Sequence, residues 1–369
     1  MTRLTVWFLI LVFWGCAPKL SQVTFEPGVK PRNIILMIGD GMSVSQISAG
    51  MYSIKNRLQL ERFKTIGFHK ATSGNDLITD SAAGATAFAS GVKTYNSAVG
   101  VGMDTLPVKT ILEQAEDRGI ATGLVVTSTI VHATPAAFYA HVPWREMYEE
   151  IALDLLKVDL ELFIGGGQYY FDNRRDEQVL TEALKKRGYY ISNNFQEDFG
   201  DINFYAHGKI GYFTASKDPL PNLAGRDYLP LAVNRASRFL LSKAHVYRTG
   251  FFMMVEGSQI DWGGHANKTD FVIAEMLDFD EAIGEALDFA EKDKETLVIV
   301  TGDHECGGLS ITRGSLQGQL IGAFNSVDHT ADLVPVFAYG PGAEAFAGIY
   351  ENTDIYFKIA EALRLNEKN

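Results

Sequence analysis

Five apolar runs, each followed by glycine or polar residues, recur along this chain and limit the folds open to it. They are NIILMIGDG, ATGLVVTST, GFFMMVEGS, TLVIVTGDHE and LVPVFAYGPG. Segments with a helical spacing of apolar residues lie between them or beside them, at 108–118, 147–156, 178–187, 230–244 and 269–291. Strands that alternate with helices predict an α/β fold in which helices cover both faces of a sheet. In such sheets, ligands bind just beyond the carboxyl ends of the strands.

Length and charge narrow the classes of protein that fit. The chain has 369 residues, enough for one large domain or two small ones. We find no internal repeat and no low-complexity tract, so we predict a single domain over residues 32–369. The formal net charge of -12 argues against a general nucleic-acid binder, because such proteins usually carry a basic excess. An anionic substrate would need local positive charge, which bound metal ions can supply.

The first residues predict an export signal of the lipoprotein type over residues 1–15. Arg3 gives a positive start, and the apolar run of Leu4–Trp14 is too short to span a bilayer comfortably. The run ends at a Gly-Cys pair that resembles a bacterial lipoprotein cleavage site. We therefore expect export to the periplasm or cell envelope with a lipid anchor at Cys16, followed by a linker over residues 16–31. An ordinary secretory signal is the alternative.

Cysteine use indicates how the exported protein is held together. Apart from Cys16, the only cysteine in the sequence is Cys306. A disulfide within the chain would have to use Cys16, which lies at the end of the signal segment. We therefore predict that the fold has no disulfide and is held by core packing or by metals.

Carboxylates and imidazoles follow several of the predicted strands. Taken alone, an Asp after a strand is more often a helix cap, and a lone His usually belongs to the core or the surface. Their recurrence at corresponding ends of one sheet instead predicts a metal site. Mixed oxygen and nitrogen ligands suit zinc, whereas an all-oxygen set suits magnesium. The candidates are Asp40, Glu256, Asp261, His265, Asp303 and His304, with His329 just before LVPVFAYGPG, which we predict to be the last strand.

The segment TDSAAGATA contains a candidate nucleophile, Ser81. Its small side chains have helical propensity and let the backbone approach a ligand closely, and a helix N-terminus favours an anion. A catalytic serine normally needs a base, usually a histidine held by a carboxylate. The segment is not the Gly-x-Ser-x-Gly elbow of hydrolases. The residues alone therefore leave open what would activate Ser81.

Six segments together resemble the signature blocks of the alkaline phosphatase family. They are NIILMIGDGM, TDSAAGATAFASGVKTYN, HATPAAFYAHV, VEGSQIDWGGH, VTGDHECGG and HTADLVPVFAYGPG, in the order that the family keeps. The resemblance implies a three-layer α/β/α sandwich around a large central, mostly parallel sheet. It also implies a homodimer that hydrolyses small phosphate monoesters with broad specificity at alkaline pH.

The resemblance further implies two zinc ions and one magnesium ion per chain. The implied ligands of the first zinc are Asp261, His265 and His329. Those of the second zinc are Asp40, Asp303 and His304, with Ser81. Those of the magnesium are Asp40, Thr134 and Glu256.

Substrate contacts are implied for Ser81, Arg145 and His132. Arg145 falls where the family keeps its phosphate-binding arginine, and a guanidinium can hold two phosphoryl oxygens at once. Zinc would lower the pKa of the Ser81 hydroxyl, so no histidine base is needed for a phosphoserine intermediate to form. Asp80 is expected to orient Arg145, with a helix-capping role as the alternative.

Two departures from the family pattern are visible. The pair of His132 and Trp262 resembles the cold-adapted and marine bacterial branch, and it leaves the identity and occupancy of the third metal open. Only residues 305–328 separate His304 from His329, so little room remains for the crown insertion of larger members.

The sequence also bears on functions other than phosphate monoester hydrolysis. A sulfatase needs a Cys/Ser-x-Pro-x-Arg context, which the residues after Ser81 lack. A phosphodiesterase of the same superfamily and a non-catalytic surface lipoprotein stay as alternatives.

Overall fold

The protein is described here from a computed structural model that covers residue 25, residues 28–55 and residues 57–367. The signal segment, Cys16 and most of the predicted linker lie outside the described residues. Among the described residues, no helix combines the length and the apolar character needed to cross a membrane.

The strands are named in chain order. They are β1 (Asn33–Gly39), β2 (Thr65–Lys70), β3 (Ala121–Thr129), β4 (Leu162–Gly166), β5 (Tyr189–Asn193), β6 (Lys209–Phe213), β7 (Phe251–Gly257), β8 (Thr296–Gly302), β9 (Glu305–Cys306), β10 (Leu309–Ile311), β11 (Gly322–Phe324), β12 (His329–Thr330), β13 (Leu333–Tyr339) and β14 (Gly348–Glu351). All five apolar runs identified in the sequence form strands, namely β1, β3, β7, β8 and β13.

The helices follow the same numbering. They are α1 (Val44–Ser53), α2 (Ser81–Ser90), α3 (Ile111–Asp117), α4 (Ala133–Ala136), α5 (Tyr148–Asp154), α6 (Gln168–Asp172), α7 (Leu180–Lys186), α8 (Leu229–Tyr247), α9 (Ile260–His265), α10 (Thr269–Asp293) and α11 (Thr353–Ala362). The five helical segments predicted from apolar spacing correspond to α3, α5, α7, α8 and α10.

Ten strands form one central sheet in the order β14-β2-β13-β8-β1-β7-β3-β4-β6-β5. Every neighbouring pair is parallel except the two that involve β13, which runs antiparallel to both β8 and β2. The carboxyl ends of the parallel strands and the start of β13 therefore lie at one edge of the sheet. This arrangement explains why His329, which precedes β13, can join residues that follow the other strands.

The two faces of the sheet carry separate cores. Along β1, Ile34, Leu36 and Ile38 pack into one hydrophobic cluster, while Ile35 and Met37 pack into the other. This alternation follows from the period of two in a strand, and both sets are fully buried because helices cover both faces. Helices α2, α3 and α11 contribute to the first cluster, and α8 and α10 to the second. The predicted three-layer sandwich is confirmed.

The prediction of the last strand is wrong, whereas the expected lack of room before His329 is confirmed. The run LVPVFAYGPG was interpreted as the last strand, but β14 follows it and pairs with β2. The segment between His304 and His329 forms only β9 and the short antiparallel pair β10–β11 before it reaches β12, so it has no room for a crown insertion.

Candidate active site

Helix α2 begins at the candidate nucleophile. The N-cap residue Asp80 accepts a hydrogen bond from the Ala83 backbone N–H at 2.9 Å, which fixes where the helix starts. Ser81 is buried, and its Oγ lies 3.4 Å from Asp40 Oδ1 and 3.3 Å from His304 Nε2. The serine hydroxyl therefore faces the carboxyl edge of the sheet from the first turn of a buried helix.

Three of the predicted ligands meet beside the entrance to the site. Asp261 and His265, four residues apart on α9, approach each other to 3.3 Å, and His329 Nε2 lies 3.4 Å from Asp261 Oδ1. His265 and His329 use Nδ1 to bond the carbonyls of Val327 and Thr79, and this turns both Nε2 atoms toward the group. The two Nε2 atoms are 3.2 Å apart. We call Asp261, His265 and His329 the outer group.

The outer group needs positive charge. Burial acts to raise the pKa of Asp261, but the hydrogen bonds from His265 and His329 outweigh it and hold that pKa well below its usual value. The hydrogen bond to Asp261 raises the pKa of His265 to about 9. A proton thus supplies the charge in the metal-free protein, and a metal ion would displace it, because zinc binds the deprotonated imidazole nitrogen.

A second set of predicted ligands surrounds Ser81. His304 Nε2 is 3.5 Å from Asp40 Oδ1 and 3.2 Å from Asp303 Oδ2, and all three side chains are fully buried. The Gly41 backbone N–H donates to Asp303 Oδ1 at 3.1 Å. The turns after β1 and β8 carry these residues, and because Gly39 and Gly302 are register partners, the two turns are adjacent. We call Asp40, Asp303 and His304 the inner group.

A third set lies deeper, around Glu256 on β7. Ligand atoms of Asp40, His132 and Glu256 lie within 4.8 Å of one another. Glu256 Oε2 accepts hydrogen bonds from the hydroxyls of Ser258 and Ser128, at 2.6 and 3.2 Å. Thr134, the remaining predicted ligand, is fully buried on α4, directly after His132 and Ala133. We call Asp40, Thr134 and Glu256 the deep group.

The carboxylates of the inner and deep groups are poorly compensated without a cation. Burial, together with the charge of Asp303, raises the pKa of Asp40 well above its usual value. Burial likewise raises the pKa of Asp303 and of Glu256 to about 7 each. Several anionic groups held this close in a water-poor site disfavour ionisation unless positive charge lies among them.

Unpaired polar atoms give an independent test of whether these residues fit metals. Among the described residues, eleven buried side-chain nitrogen or oxygen atoms lack a hydrogen bond of acceptable geometry. Buried polar groups are normally satisfied, so such atoms need an explanation. Seven of the eleven belong to predicted site residues, namely Asp40, His132, Thr134, Glu256, Asp261, Asp303 and His304. Carboxylate and hydroxyl oxygens of Asp40, Thr134, Glu256, Asp261 and Asp303 are among them, and oxygens left without a well-formed hydrogen bond fit metal ligands.

Arg145 completes the entrance. One of its guanidinium nitrogens donates to Asp80 Oδ2 at 3.1 Å, and another lies 3.2 Å from His132 Nε2. Asp80 therefore has both roles that the sequence left as alternatives, since one oxygen caps α2 while the other holds Arg145. A cavity of about 580 Å³ opens here and is lined by Ser81, Arg145 and all three outer-group residues.

His132 lies between the guanidinium and the deep group. Burial lowers the pKa of His132 to about 3, and the neighbouring Arg145 adds to this effect. The imidazole is therefore neutral, and its ring faces Trp262 edge-on at 6.4 Å between centroids. His132 and Trp262, the pair that resembles the cold-adapted and marine branch, thus lie side by side at the site.

Glu305 was not among the site residues predicted from the sequence, although it contacts two elements beside the site. Glu305 is fully buried and accepts hydrogen bonds from Gln46 Nε2 at 2.7 Å and from Thr330 Oγ1 at 2.6 Å. It links α1 to the short strand that carries His329. In the sequence, only the position of Glu305 directly after Asp303 and His304 pointed to it. That position does not show which atoms Glu305 contacts.

Comparisons with known proteins identify relatives over most of the chain. The family model described as alkaline phosphatase matches residues 31–205 and 229–322. Alkaline phosphatase 3 of Bacillus subtilis (strain 168) is 32% identical, over 96% of this chain and 94% of the relative. The alkaline phosphatase of the Antarctic bacterium TAB5 is similar in structure, with a TM-score of 0.86 and 45% identity over 92% of this chain and 100% of that one.

A variant of the Antarctic enzyme has been solved with a bound metal. It carries aspartate in place of a histidine and was solved with magnesium in a site designated M3. Its chain has a TM-score of 0.86 and 43% identity to this one, over 92% of this chain and 99% of that one.

Proposed function

We propose that this chain, a member of the alkaline phosphatase family, works through a phosphoserine on Ser81. Its likeness to the Antarctic enzyme of the cold-adapted branch agrees with this family. As a member of this family it is a phosphate monoester hydrolase. The observation that carries the phosphoserine proposal is the position of Ser81 Oγ, which lies 3.4 Å from Asp40 and 3.3 Å from His304. Both residues belong to the inner group, and Asp40 also belongs to the deep group.

The donor atoms of each ligand group indicate which metal we propose for it. Zinc fits the outer group and the inner group, because each combines imidazole nitrogen with carboxylate oxygen. Magnesium fits the deep group, which offers carboxylate and hydroxyl oxygens. Bound zinc supplies Lewis acidity that lowers the pKa of the serine hydroxyl and stabilises charge on the transferring and leaving oxygens.

The chain's own residues position the reaction. Arg145 holds two oxygens of the phosphoryl group, and Asp80 keeps the guanidinium aimed at the cavity. Ser81 Oγ loses its proton to solvent and attacks phosphorus, the bond to the leaving oxygen breaks, and that oxygen takes up a proton to give the alcohol. The phosphoryl group stays on the serine until water hydrolyses it. Because Ser81 is almost fully buried, the attacking oxygen is shielded from bulk water, which strengthens its electrostatic contacts.

A substrate comparison tests this proposal against a phosphodiesterase. We expect p-nitrophenyl phosphate to turn over much faster than its bis-ester at alkaline pH. A chelator should abolish the activity, and zinc with magnesium should restore it. Faster hydrolysis of the bis-ester would favour the diesterase, and no hydrolysis of either by metal-loaded protein would favour a non-catalytic lipoprotein.

Replacing Arg145 with alanine should raise KM and weaken inhibition by inorganic phosphate, with a smaller loss in kcat. A charged hydrogen bond contributes about 1.5–3 kcal/mol, which corresponds to roughly tenfold to a hundredfold in binding. Arg145→Lys keeps the charge but loses the bidentate contact and should fall between the parent and Arg145→Ala. Phosphate inhibition constants check this expectation, and unchanged values would point to another arginine.

Replacing His132 with aspartate should tighten magnesium binding. A carboxylate oxygen would replace a neutral ring nitrogen near the deep group, and magnesium prefers hard oxygen ligands. The magnesium-bound variant of the Antarctic enzyme supports this direction. His132→Asn is the matched control, because it offers an oxygen without the charge. Titration of the metal-free proteins with magnesium gives the affinities, and equal values for all three would mean that His132 only packs beside the site.

The export, anchor and assembly predictions extend the proposal. We propose that the enzyme works as a homodimer in the periplasm or cell envelope and is held there by a lipid on Cys16. Cys16→Ser should then release soluble or unprocessed protein, whereas the parent should partition into detergent. Mass spectrometry of the mature N-terminus decides, and an unmodified terminus at another residue would contradict the anchor.

A further inference from the structure

Cys306 lies directly behind the outer group. It follows Glu305 on β9 and is the register partner of His329 on β12. Directly opposed residues in an antiparallel pair project to the same face with Cβ atoms about 4.5–5.5 Å apart. The pairing therefore brings the thiol and the His329 imidazole together by backbone geometry alone.

The other two members of the outer group also lie within reach of the sulfur. One ligand atom from each of Asp261, His265, His329 and Cys306 lies within 4.8 Å of the other three. The Cys306 thiol donates to the Asp261 carbonyl at 3.5 Å. Asp261 itself is only 5% exposed, and its Oδ1 lacks a hydrogen bond of acceptable geometry. A buried carboxylate oxygen that lies 3.4 Å from His329 Nε2 thus shares this space with the sulfur.

Glycine at position 264 makes room for the thiol. A Cβ at Gly264 would lie 2.9 Å from the Cys306 Sγ and 2.9 Å from its Cβ, closer than packed atoms approach. Gly264 lies on α9, three residues after Asp261 and directly before His265, so the sulfur packs against the helix that carries both of these ligands. Any larger residue here would push the sulfur away from the group.

We propose that Cys306 supplies a sulfur donor to the cation held by Asp261, His265 and His329. This inference rests on the proposed metal-dependent function. On binding, the S–H proton leaves to solvent and a sulfur electron pair forms the bond to the metal, so no redox partner is needed. The outer group then takes thiophilic divalent cations such as Zn²⁺, Co²⁺ and Cd²⁺ through a mixed carboxylate, imidazole and thiolate set.

The position of the sulfur is compatible with catalysis. Cys306 is fully buried and does not line the cavity that Ser81 and Arg145 share. The sulfur would therefore donate from the core side of the outer group, and it takes up no part of the cavity wall that faces Ser81 and Arg145. A buried cysteine can also act only as a small apolar side chain with a weak S–H donor. The test must separate these two roles.

Absorption spectroscopy of the full-length protein loaded with Co²⁺ separates them. We expect visible bands of bound cobalt together with a near-ultraviolet band from thiolate-to-metal charge transfer, which carboxylate and imidazole donors do not give. Cys306→Ser and Cys306→Ala should lose the charge-transfer band and keep the visible bands. Ser81→Ala should keep both, because the readout does not depend on turnover. The affinity for Cd²⁺ should fall by about tenfold or more in both Cys306 variants.

Failure of the sulfur-donor proposal and failure of the metal-site proposal would give different spectra. Stoichiometric cobalt without a charge-transfer band in the parent would overturn the sulfur donor, even if Cd²⁺ affinity fell in the variants, because Cys306 would then only position Asp261. If Cys306→Ala fails to fold, the parent spectrum and Cys306→Ser still decide the question. Absence of the visible cobalt bands in the parent would instead contradict the proposed metal site itself.

Discussion

Ser81→Ala is expected to lower kcat for phosphate monoesters by about 10³-fold or more, since the variant keeps the metal groups but lacks the nucleophile. In the parent, the hydroxyl lies at the start of α2, where Asp40 and His304 converge on it. Alanine fits this helix, whose neighbouring residues are themselves alanine, so the fold should be retained. Residual activity from direct attack of water is compatible with this expectation.

Ser90→Ala provides the matched control for this experiment. Ser90 ends the same helix and is also buried, and its Oγ bonds the Thr86 carbonyl at 2.7 Å. It lies about two and a half turns from Ser81, so its loss should leave kcat unchanged. A Ser81→Ala variant that retains most of the parental kcat while Ser90→Ala behaves like the parent would show that Ser81 is not the nucleophile.

Asp40→Asn is expected to remove metal from the inner and deep groups together and to lower kcat by a comparable factor. Asp40 takes part in two of the candidate ligand sets, so under our proposal its charge would serve two cations. The amide keeps the shape of the side chain but not its charge. Metal ions contribute several kcal/mol of transition-state stabilisation, and each 1.36 kcal/mol corresponds to a factor of ten in rate.

Asp280→Asn is the control for the loss of a buried carboxylate. Asp280 accepts backbone hydrogen bonds from Gln59 and Leu60 at 2.7 and 3.0 Å, on α10 and away from the ligand groups. Its replacement should reduce stability but leave the metal content unchanged. Elemental analysis of both purified variants, beside their kcat values, makes the comparison. Full metal occupancy in Asp40→Asn would contradict the proposal that Asp40 is a ligand shared by the inner and deep groups.

The sequence predicted best the residues whose position follows from the sheet alone. Asp40 and Asp303 follow β1 and β8, which are parallel neighbours with Gly39 opposite Gly302. Glu256 lies on β7, the other neighbour of β1, where it pairs in register with Ile38. An apolar run that ends in a carboxylate was enough to place each of these side chains at the same edge.

The place of His329 in the site could not be predicted from the apolar pattern of the strands alone. It precedes β13 rather than following it, and it joins the site only because β13 runs antiparallel to β8. Strand direction depends on how the chain returns to the sheet, which the apolar pattern of the strand does not contain. The edge strands β5 and β14 were missed for a related reason, since they are short and carry partly exposed residues.

Arg145, Thr134 and His132 could be identified only through the resemblance to the family. Arg145 lies in the connection before α5, and no spacing rule brings such a residue to the end of a distant strand. Cys306 and Glu305 were visible in the sequence, but their contacts depend on the β9–β12 register. A two-residue strand leaves no periodicity from which a register could be predicted.

Phosphopeptide mapping tests the central claim most directly. Metal-loaded parent protein is incubated with p-nitrophenyl phosphate or inorganic phosphate, quenched in acid, digested and analysed by mass spectrometry. A single phosphoserine at Ser81, absent from Ser81→Ala, is the result that this account predicts. A phosphoryl group on another residue, or substrate turnover with no covalent phosphoenzyme at any point of the reaction, would contradict it.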